Sequence, residues 1–456
     1  MEKQNNRKNE MFFSIVIFLC VLSISSFCHA QEIIKSIDIG EAYALAIKTH
    51  ERIMIAESEV AKSKLLPKKA TTIMMPRLSM SGGYTRLNEP IEFEAQIGNI
   101  TLPPIETVPD EQWLGNFKYT QPIYEGRFFP LRRMADQTIE ITSENYYQTI
   151  QSLLLQVAQV YYEVLKSEEL VQNAKETVNL TREELRVSKV RFKAGNVTED
   201  AVLRSELNST RAKSNVIRNV NHLKLAQEFF KNLVGMETRN LNLIKPPELK
   251  EMVEDYEALI YNAFDSRHDY RASFLKIDVA KNDIELVKAR FHPRIEGSWD
   301  YFWVDNPAWL QNDEYWVASL KVNIPLFEGG LRFLDLKEKQ ENLHQAELTL
   351  KALEDTIRLE VEDAMLKVQT DRSILANLTK QVELAKKNYE IIFTKFKFGA
   401  ATSLDLNEAL TSLDLARTQL ISKTYDYQVA LLNQEKALGV FAQDFTTKID
   451  QKRQLQ

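Results

Sequence analysis

Residues 316–330 read WVASLKVNIPLFEGG, and this stretch decides the fold. Its first nine residues alternate: Trp316, Ala318, Leu320, Val322 and Ile324 fall on one side of an extended chain, and Val317, Ser319, Lys321 and Asn323 on the other. Pro325 ends the run, and Glu328-Gly329-Gly330 closes it before a charged, Pro-free segment begins. Alternation of period two argues for a β-strand, and Pro followed by paired Gly argues that the strand stops there. The same punctuation occurs once before. Pro122-Ile-Tyr-Glu-Gly126 matches Pro325-Leu-Phe-Glu-Gly329 at an offset of 203 residues.

Working outward, the match extends over the whole chain. Arg191-Phe-Lys-Ala-Gly195 returns as Lys395-Phe-Lys-Phe-Gly399, and Gly235 as Gly439, both at an offset of 204. Earlier in each half, Ala46 matches Ala263 and Pro76-Arg77 matches Pro293-Arg294 at an offset of 217. The drop from 217 to 203 places a loop fourteen residues longer in the first half, within 88–112. A twofold repeat therefore organises the chain, as residues 31–245 and 246–440 with a polar tail at 441–456. Each half predicts a helical segment (about 39–75 and 254–292), a strand pair (77–121 and 294–324), a long helix (about 127–194 and 330–398) and a return helix (about 196–234 and 400–438).

No Pro falls between Pro130 and Pro246 or after Pro325, so nothing interrupts the long helices. At 1.5 Å per residue they would span roughly 100 Å, and the return helices about 58 Å. Val157, Val160, Val164, Val171, Ala174, Val178 and Leu185 form one stripe, and adding 204 gives Val361, Ala364, Val368, Leu375, Leu378, Val382 and Tyr389. A sustained seven-residue period means helices packed side by side in coiled-coil fashion.

The strand pairs carry all five Trp residues: Trp113, Trp299, Trp303, Trp309 and Trp316. Ile295, Gly297, Trp299, Tyr301 and Trp303 share one face, opposite Glu296, Ser298, Asp300 and Phe302. Apolar and polar faces alternating over about ten residues, with aromatic residues near the ends, are the pattern of a transmembrane β-strand. Four strands cannot close a barrel, and an open edge in lipid leaves backbone groups unsatisfied. Copies must therefore pool their strands, two giving eight and three giving twelve.

The first thirty residues, 1–30, read as a secretory signal. Lys3, Arg7 and Lys8 give a basic start, Met11 to Ser25 an apolar core, and Cys28-His29-Ala30 a cleavage site before Gln31. Both cysteines, Cys20 and Cys28, lie in this leader, which excludes a disulfide scaffold and thiol chemistry in the processed chain. Cys28 as a lipidated first residue is the alternative, and the bulky Phe27 before it argues against that. A net charge of −6 gives no reason to expect nucleic acid.

The duplicated helix–hairpin–helix order, the Asn323-to-Gly330 strand exit and the paired RFKAG and KFKFG turns resemble the TolC-like outer-membrane efflux family. The resemblance implies a mainly α fold with a transmembrane β part: a homotrimer whose 12-stranded barrel, four strands per protomer, continues into a long periplasmic helical barrel. It places the chain in the outer membrane of a Gram-negative bacterium, in contact with outer-membrane lipid. It further implies a periplasmic adaptor (membrane fusion protein) and an inner-membrane pump of RND, ABC or MFS type as partners, with no cofactor and no catalysis.

By the same resemblance the adaptor would touch Ala194, Gly195, Val197, Thr198, Phe398, Gly399, Ala401 and Thr402. Asp405 and Glu408, three apart and so on one helix face, would ring the entrance and favour cations. Where the family's entrance is locked by Tyr, Arg and Asp links, this chain has Phe396, Ala401 and Ala201, with Asp200 one residue away. The closed state is then expected to rest on other contacts, such as Phe192 packing on Phe396. Trp113, Trp299, Trp303 and Trp316 would form the membrane aromatic girdle.

Nothing in the residues points to catalysis or a metal. His50, His222, His268, His292 and His344 are scattered without ligand spacing. There is no phosphate-binding Gly loop, nucleophile elbow or HExxH. The competing readings are a periplasmic adaptor, which needs a compact β domain this sequence does not supply, and a structural coiled-coil protein, which would tend to carry its membrane anchor at the C-terminus.

Overall fold

The computed structural model describes residues 35–94, 96–98, 100–101, 103–237, 241–249, 255–305, 312–443 and 445. The expected leader, Trp309 and most of the tail after 440 lie outside these residues. The chain forms two compact units. Of the described residues, a strand unit gathers those within 50–156, 249–377 and 426–445; a turn unit gathers those within 35–49, 157–248 and 378–425.

The strand unit holds α2 (Glu51–Ser63), α3 (Leu66–Thr71), β2 (Arg77–Arg86) and β7 (Glu111–Tyr124) from the first half. The second half supplies α6 (Tyr256–Ser266), α7 (His268–Ala289), β9 (Arg294–Asp305) and β10 (Glu314–Asn323). The longer first-half connection contains two small ladders, β3 (Ile91–Phe93) with β6 (Ile105–Val108), and β4 (Gln96–Ile97) with β5 (Ile100–Thr101).

The four long strands form one antiparallel sheet in the order β10-β9-β7-β2. Its register aligns Leu78, Tyr119, Trp299 and Ala318 across all four strands, then Met80, Phe117, Tyr301 and Trp316. Residues opposite one another in an antiparallel ladder share a face, so the period-two pattern of each strand adds up to one continuous apolar face. That face is bare in the single chain: Met80 is 85% exposed, Leu320 68% and Trp316 64%. The other face is mostly polar, with Lys118 facing Asp300 at 3.6 Å and the hydroxyls of Ser298 and Ser319 2.9 Å apart. Among the described residues, β2 and β10 each have a partner on one side only.

Two helices run through both units, α4 (Phe128–Lys193, 66 residues) and α8 (Leu331–Lys397, 67 residues). α4 has Pro130 in its first turn, where a missing N–H costs nothing. Every residue of the predicted seven-residue stripe is buried or half-buried, from Val157 and Val164 at 0% to Val361 at 2% and Val368 at 1%. In the strand unit Ile357, Val361 and Ala364 of α8 pack on Leu259, Ile260 and Ala263 of α6. No described helix is long and apolar enough to cross a membrane.

The turn unit contains β1 (Lys35–Ile37), α1 (Ile39–Thr49), α5 (Glu199–Val234), β8 (Leu241–Leu243) and the first part of α9 (Ser403–Ala437). The parallel pairing of β1 with β8 is not anticipated by the sequence reading. The buried Tyr161 hydroxyl clips it, donating to the carbonyls of Ile37 (3.0 Å) and Ile244 (2.5 Å). The helical segments expected at 39–75 and 254–292 are each broken, at His50 and at Arg267, both in extended backbone. The two breaks are 217 residues apart, the offset of the repeat itself.

Candidate functional site

The two turns between long and return helices lie in the turn unit and share one construction. α4 ends at Lys193 and α8 at Lys397, and Gly195 (φ 72°) and Gly399 (φ 83°) follow in left-handed backbone. Asn196 N–H then donates to the Arg191 carbonyl at 2.9 Å, and Ala400 N–H to the Lys395 carbonyl at 2.8 Å. These bonds satisfy carbonyls that a helix end leaves open, and glycine adopts the required conformation without a Cβ clash. Ala194, Gly195, Thr198, Gly399 and Thr402 are exposed, Val197 and Ala401 are half-buried, and Phe398 is 85% exposed. Both turns line a single cleft with Val197, Thr198, Gly399, Ala401 and Thr402 on its walls.

The turns differ where the return helix begins. Thr402 Oγ1 accepts from Asp405 N–H (3.2 Å), while the Asp405 carboxylate accepts from the N–H and hydroxyl of Thr402 (both 2.8 Å). This reciprocal cap satisfies two orphan donors. The Thr402 N–H, and then its hydroxyl, hold the Asp405 carboxyl below its ordinary pKa. In the first half Thr198 makes no side-chain cap, and Ala201 occupies the place of Asp405. Asp405 therefore has a structural task of its own. Glu408 is exposed and has no hydrogen bond or ion pair among the described residues.

Within the single chain Phe192 and Phe396, expected to pack together in the closed assembly, differ in burial. Phe396 is 1% exposed, inside a cluster with Val187, Tyr389, Leu406, Ala409, Leu410 and Leu413, whereas Phe192 is 45% exposed. The reason is helical phase: Phe396 follows Tyr389 by seven residues and so continues the buried stripe. Arg191, which the sequence reading did not single out, links the two turns. Its Nη1 donates to the Phe396 carbonyl at 2.7 Å, its guanidinium lies 5.0 Å from the Phe396 ring, and its Nη2 lies 3.2 Å from the place of a Cβ on Gly399. A cation on the last carbonyls of a helix is favourably placed. The only hint in the sequence is the basic residue shared by RFKAG and KFKFG.

Below the turns the two hairpins pack with opposite chemistry. α8 and α9 meet through the apolar cluster around Phe396. α4 and α5 meet where buried Glu184 and Ser188 face buried Ser205, the two serine hydroxyls 2.8 Å apart. Glu184 is fully buried; Ser205 donates to its Oε1 at 3.1 Å, and its Oε2 has no hydrogen bond. Burial pushes its pKa up, opposed by the Ser205 and Asn208 side chains. Among the described residues no group of three or more His, Cys, Asp or Glu is placed to hold a metal ion.

Within the strand unit, Trp113, Trp299, Trp303 and Trp316 all project from the apolar face. They pair with Asp305, Ala318, Glu314 and Tyr301 respectively, so they fill four successive rows in one half of the sheet rather than a row at each end.

A model of the family described as outer membrane efflux protein matches residues 43–236 and 259–440. The chain belongs to this family. The two matched stretches end one residue beyond Gly235 and Gly439, so the family's unit is the repeat seen here. Outer membrane protein TolC of Vibrio cholerae serotype O1 is 22% identical over 378 residues, 81% of this chain and 83% of that protein. Among solved structures, the Campylobacter jejuni CmeC outer membrane channel aligns with a TM-score of 0.73 at 15% identity, covering 91% of this chain and 88% of that one. VceC of Vibrio cholerae gives 0.71 at 15% identity, covering 88% and 96%. These similarities establish the fold, and this efflux-family chain is an outer-membrane protein whose general function is export. The family is one of transport channels and not of enzymes.

Proposed function

We propose that this chain is one protomer of a homotrimeric export duct of the outer membrane. Three copies pool their four-stranded sheets into a closed 12-stranded barrel, and their helices continue as a periplasmic tunnel. An inner-membrane pump of RND, ABC or MFS type supplies the cargo through a periplasmic adaptor that docks on the turns at Gly195 and Gly399. The duct conducts and performs no chemistry itself.

The observation that carries this reading is the sheet: a bare apolar face spanning four strands, flanked by two half-paired edges. In lipid each unpaired amide and carbonyl is costly, and only closure removes the edges. The repeat supplies independent support. Leu155, Tyr162 and Val187 of α4 are 6%, 3% and 8% exposed, yet their mates 204 residues on, Leu359, Leu366 and Ile391 of α8, are 66%, 51% and 55% exposed. A second copy covering α8 would give both long helices the same surroundings. At the entrance, a threefold axis would gather the carboxylates of Asp405 and Glu408 and favour cations.

Purified protein run unheated and boiled, then added to planar bilayers, tests the proposal. A detergent-resistant species of three chains with cation-selective conductance supports it; a single chain without conductance rejects it.

A further inference from the structure

Helix α5 carries a motif of period seven that neither the sequence reading nor the packing of the chain uses. Ala201, Asn208 and Asn215 are each followed three residues later by an arginine: Arg204, Arg211 and Arg218. Seven-residue spacing keeps side chains on one stripe of a helix, as in a coiled-coil seam. All six residues line two successive clefts between α5 and α9, the first at the turns and the second beside Asn407, Thr411 and Asp414. The stripe is about 21 Å long at helical rise.

The positive charge of this stripe is not answered within the chain. Arg211 has no hydrogen bond or ion pair among the described residues. Arg204 reaches only Asp200, and Arg218 only Asn215, both on their own helix. Across the groove, Asp405 is occupied by Thr402, and Asp414 accepts from Asn173 and Thr177 of α4. Among the described residues none of the three arginines makes an ion pair with α9. The stripe is also particular to the first half, since adding 204 lands on Glu408, Leu415 and Ser422.

We propose that this arginine ladder docks a partner coiled-coil helix that bears a carboxylate once every seven residues. The small side chains at 201, 208 and 215 leave room for such a helix to settle, and the three guanidiniums each take one carboxylate, bidentate where geometry allows. This rests on the reading that an adaptor engages the turns, and it specifies that adaptor's chemistry: acidic residues in heptad register along the arm that lies in the groove. Electrostatic complementarity of this kind fixes register and excludes basic partners.

The test uses two synthetic helical hairpins, identical except for Glu or Lys at every seventh position, and the full-length protein in detergent. Fluorescence anisotropy should show the Glu hairpin binding and the Lys hairpin not, with binding weakened by added salt. The double variant Arg211→Glu, Arg218→Glu should lose at least about tenfold in affinity for the Glu hairpin and gain affinity for the Lys hairpin. Equal binding of both hairpins, or an unchanged preference in the double variant, overturns the proposal. Dissociation of the assembly in the double variant would assign the groove to a second copy and overturn it too. Bilayer conductance of the unaltered protein is a separate readout: its absence sinks the duct reading, whatever the hairpins do.

Discussion

Thr49 fills the space that a side chain on Gly235 would need. Its Oγ1 lies 2.6 Å and its Cβ 2.8 Å from the place of a Cβ there, and the Thr49 hydroxyl bonds the Val234 carbonyl at 3.1 Å. The second half repeats the arrangement. A Cβ on Gly439 would meet Ser266 C and Arg267 N, each at 2.9 Å, while Arg267 Nη1 donates to the Ala437 carbonyl at 3.2 Å. In each half, the glycine ending the return helix abuts the break in the preceding helix pair, and this contact accounts for both the repeated glycine and the break.

Gly439→Ala should therefore destabilise strongly, because it adds a contact with backbone atoms to a left-handed conformation (φ 74°). Left-handed strain alone costs about 1–2 kcal/mol. At Gly195 the added methyl meets nothing, so Gly195→Ala should carry only that strain. Thermal unfolding followed by circular dichroism should place Gly439→Ala well below Gly195→Ala; equal melting temperatures would refute the close-approach argument.

The faces of β10 make opposite forecasts for neighbouring residues. Leu320→Arg puts a charge on the apolar face, at about 2–4 kcal/mol if that face meets the middle of a bilayer. Ser319→Arg puts it on the polar face, beside Ser298. Outer-membrane yield of the heat-modifiable assembly should collapse for the first substitution and persist for the second.

Much of this was legible in the sequence, because it rests on local periodicity. Alternation from Trp316 to Ile324 marks a strand wherever it occurs, and the Val157-to-Leu185 stripe marks a packed helix. The breaks at His50 and Arg267 were not legible. Neither carries Pro or Gly, and the cause is a glycine roughly 180 residues away in sequence. The three-residue strands Lys35–Ile37 and Leu241–Leu243 are too short for any period to show. The burial of Phe396 was legible too: its phase, seven residues after Tyr389, continues the buried stripe.

That burial sets what Phe396→Ala should do. Truncating a buried Phe costs about 3–5 kcal/mol, so hydrogen exchange should quicken through the cluster from Tyr389 to Leu413. Phe192→Ala, at an exposed ring, should stay within about 0.5 kcal/mol. Matching exchange patterns for the two variants would refute the burial argument.

Glu184 sets a pH dependence. Its folded pKa lies above its unfolded value, so the folded state holds the extra proton; stability is present below the unfolded pKa and is lost as pH rises through the folded one. The carboxyl is screened by Ser205 and Asn208 of α5, and the titratable group facing it from α8 is Tyr389, whose pKa burial and then Glu184 push up to about 12. Exchange around Ser205 should accelerate beyond its intrinsic base-catalysed rise as pH climbs above the ordinary carboxylate range. Glu184→Gln should abolish that acceleration; an unchanged pH profile in the variant would remove Glu184 from the account.

The half-paired rims of the sheet, Arg77–Arg86 and Glu314–Asn323, bear on biogenesis. If three copies close one barrel, as proposed, a newly translocated chain cannot finish its own β structure, and insertion becomes an encounter-limited event rather than a property of one molecule. Lowering the supply of chains should then delay maturation more than proportionally, and orphan subunits should be held by periplasmic chaperones or degraded rather than accumulate in the bilayer.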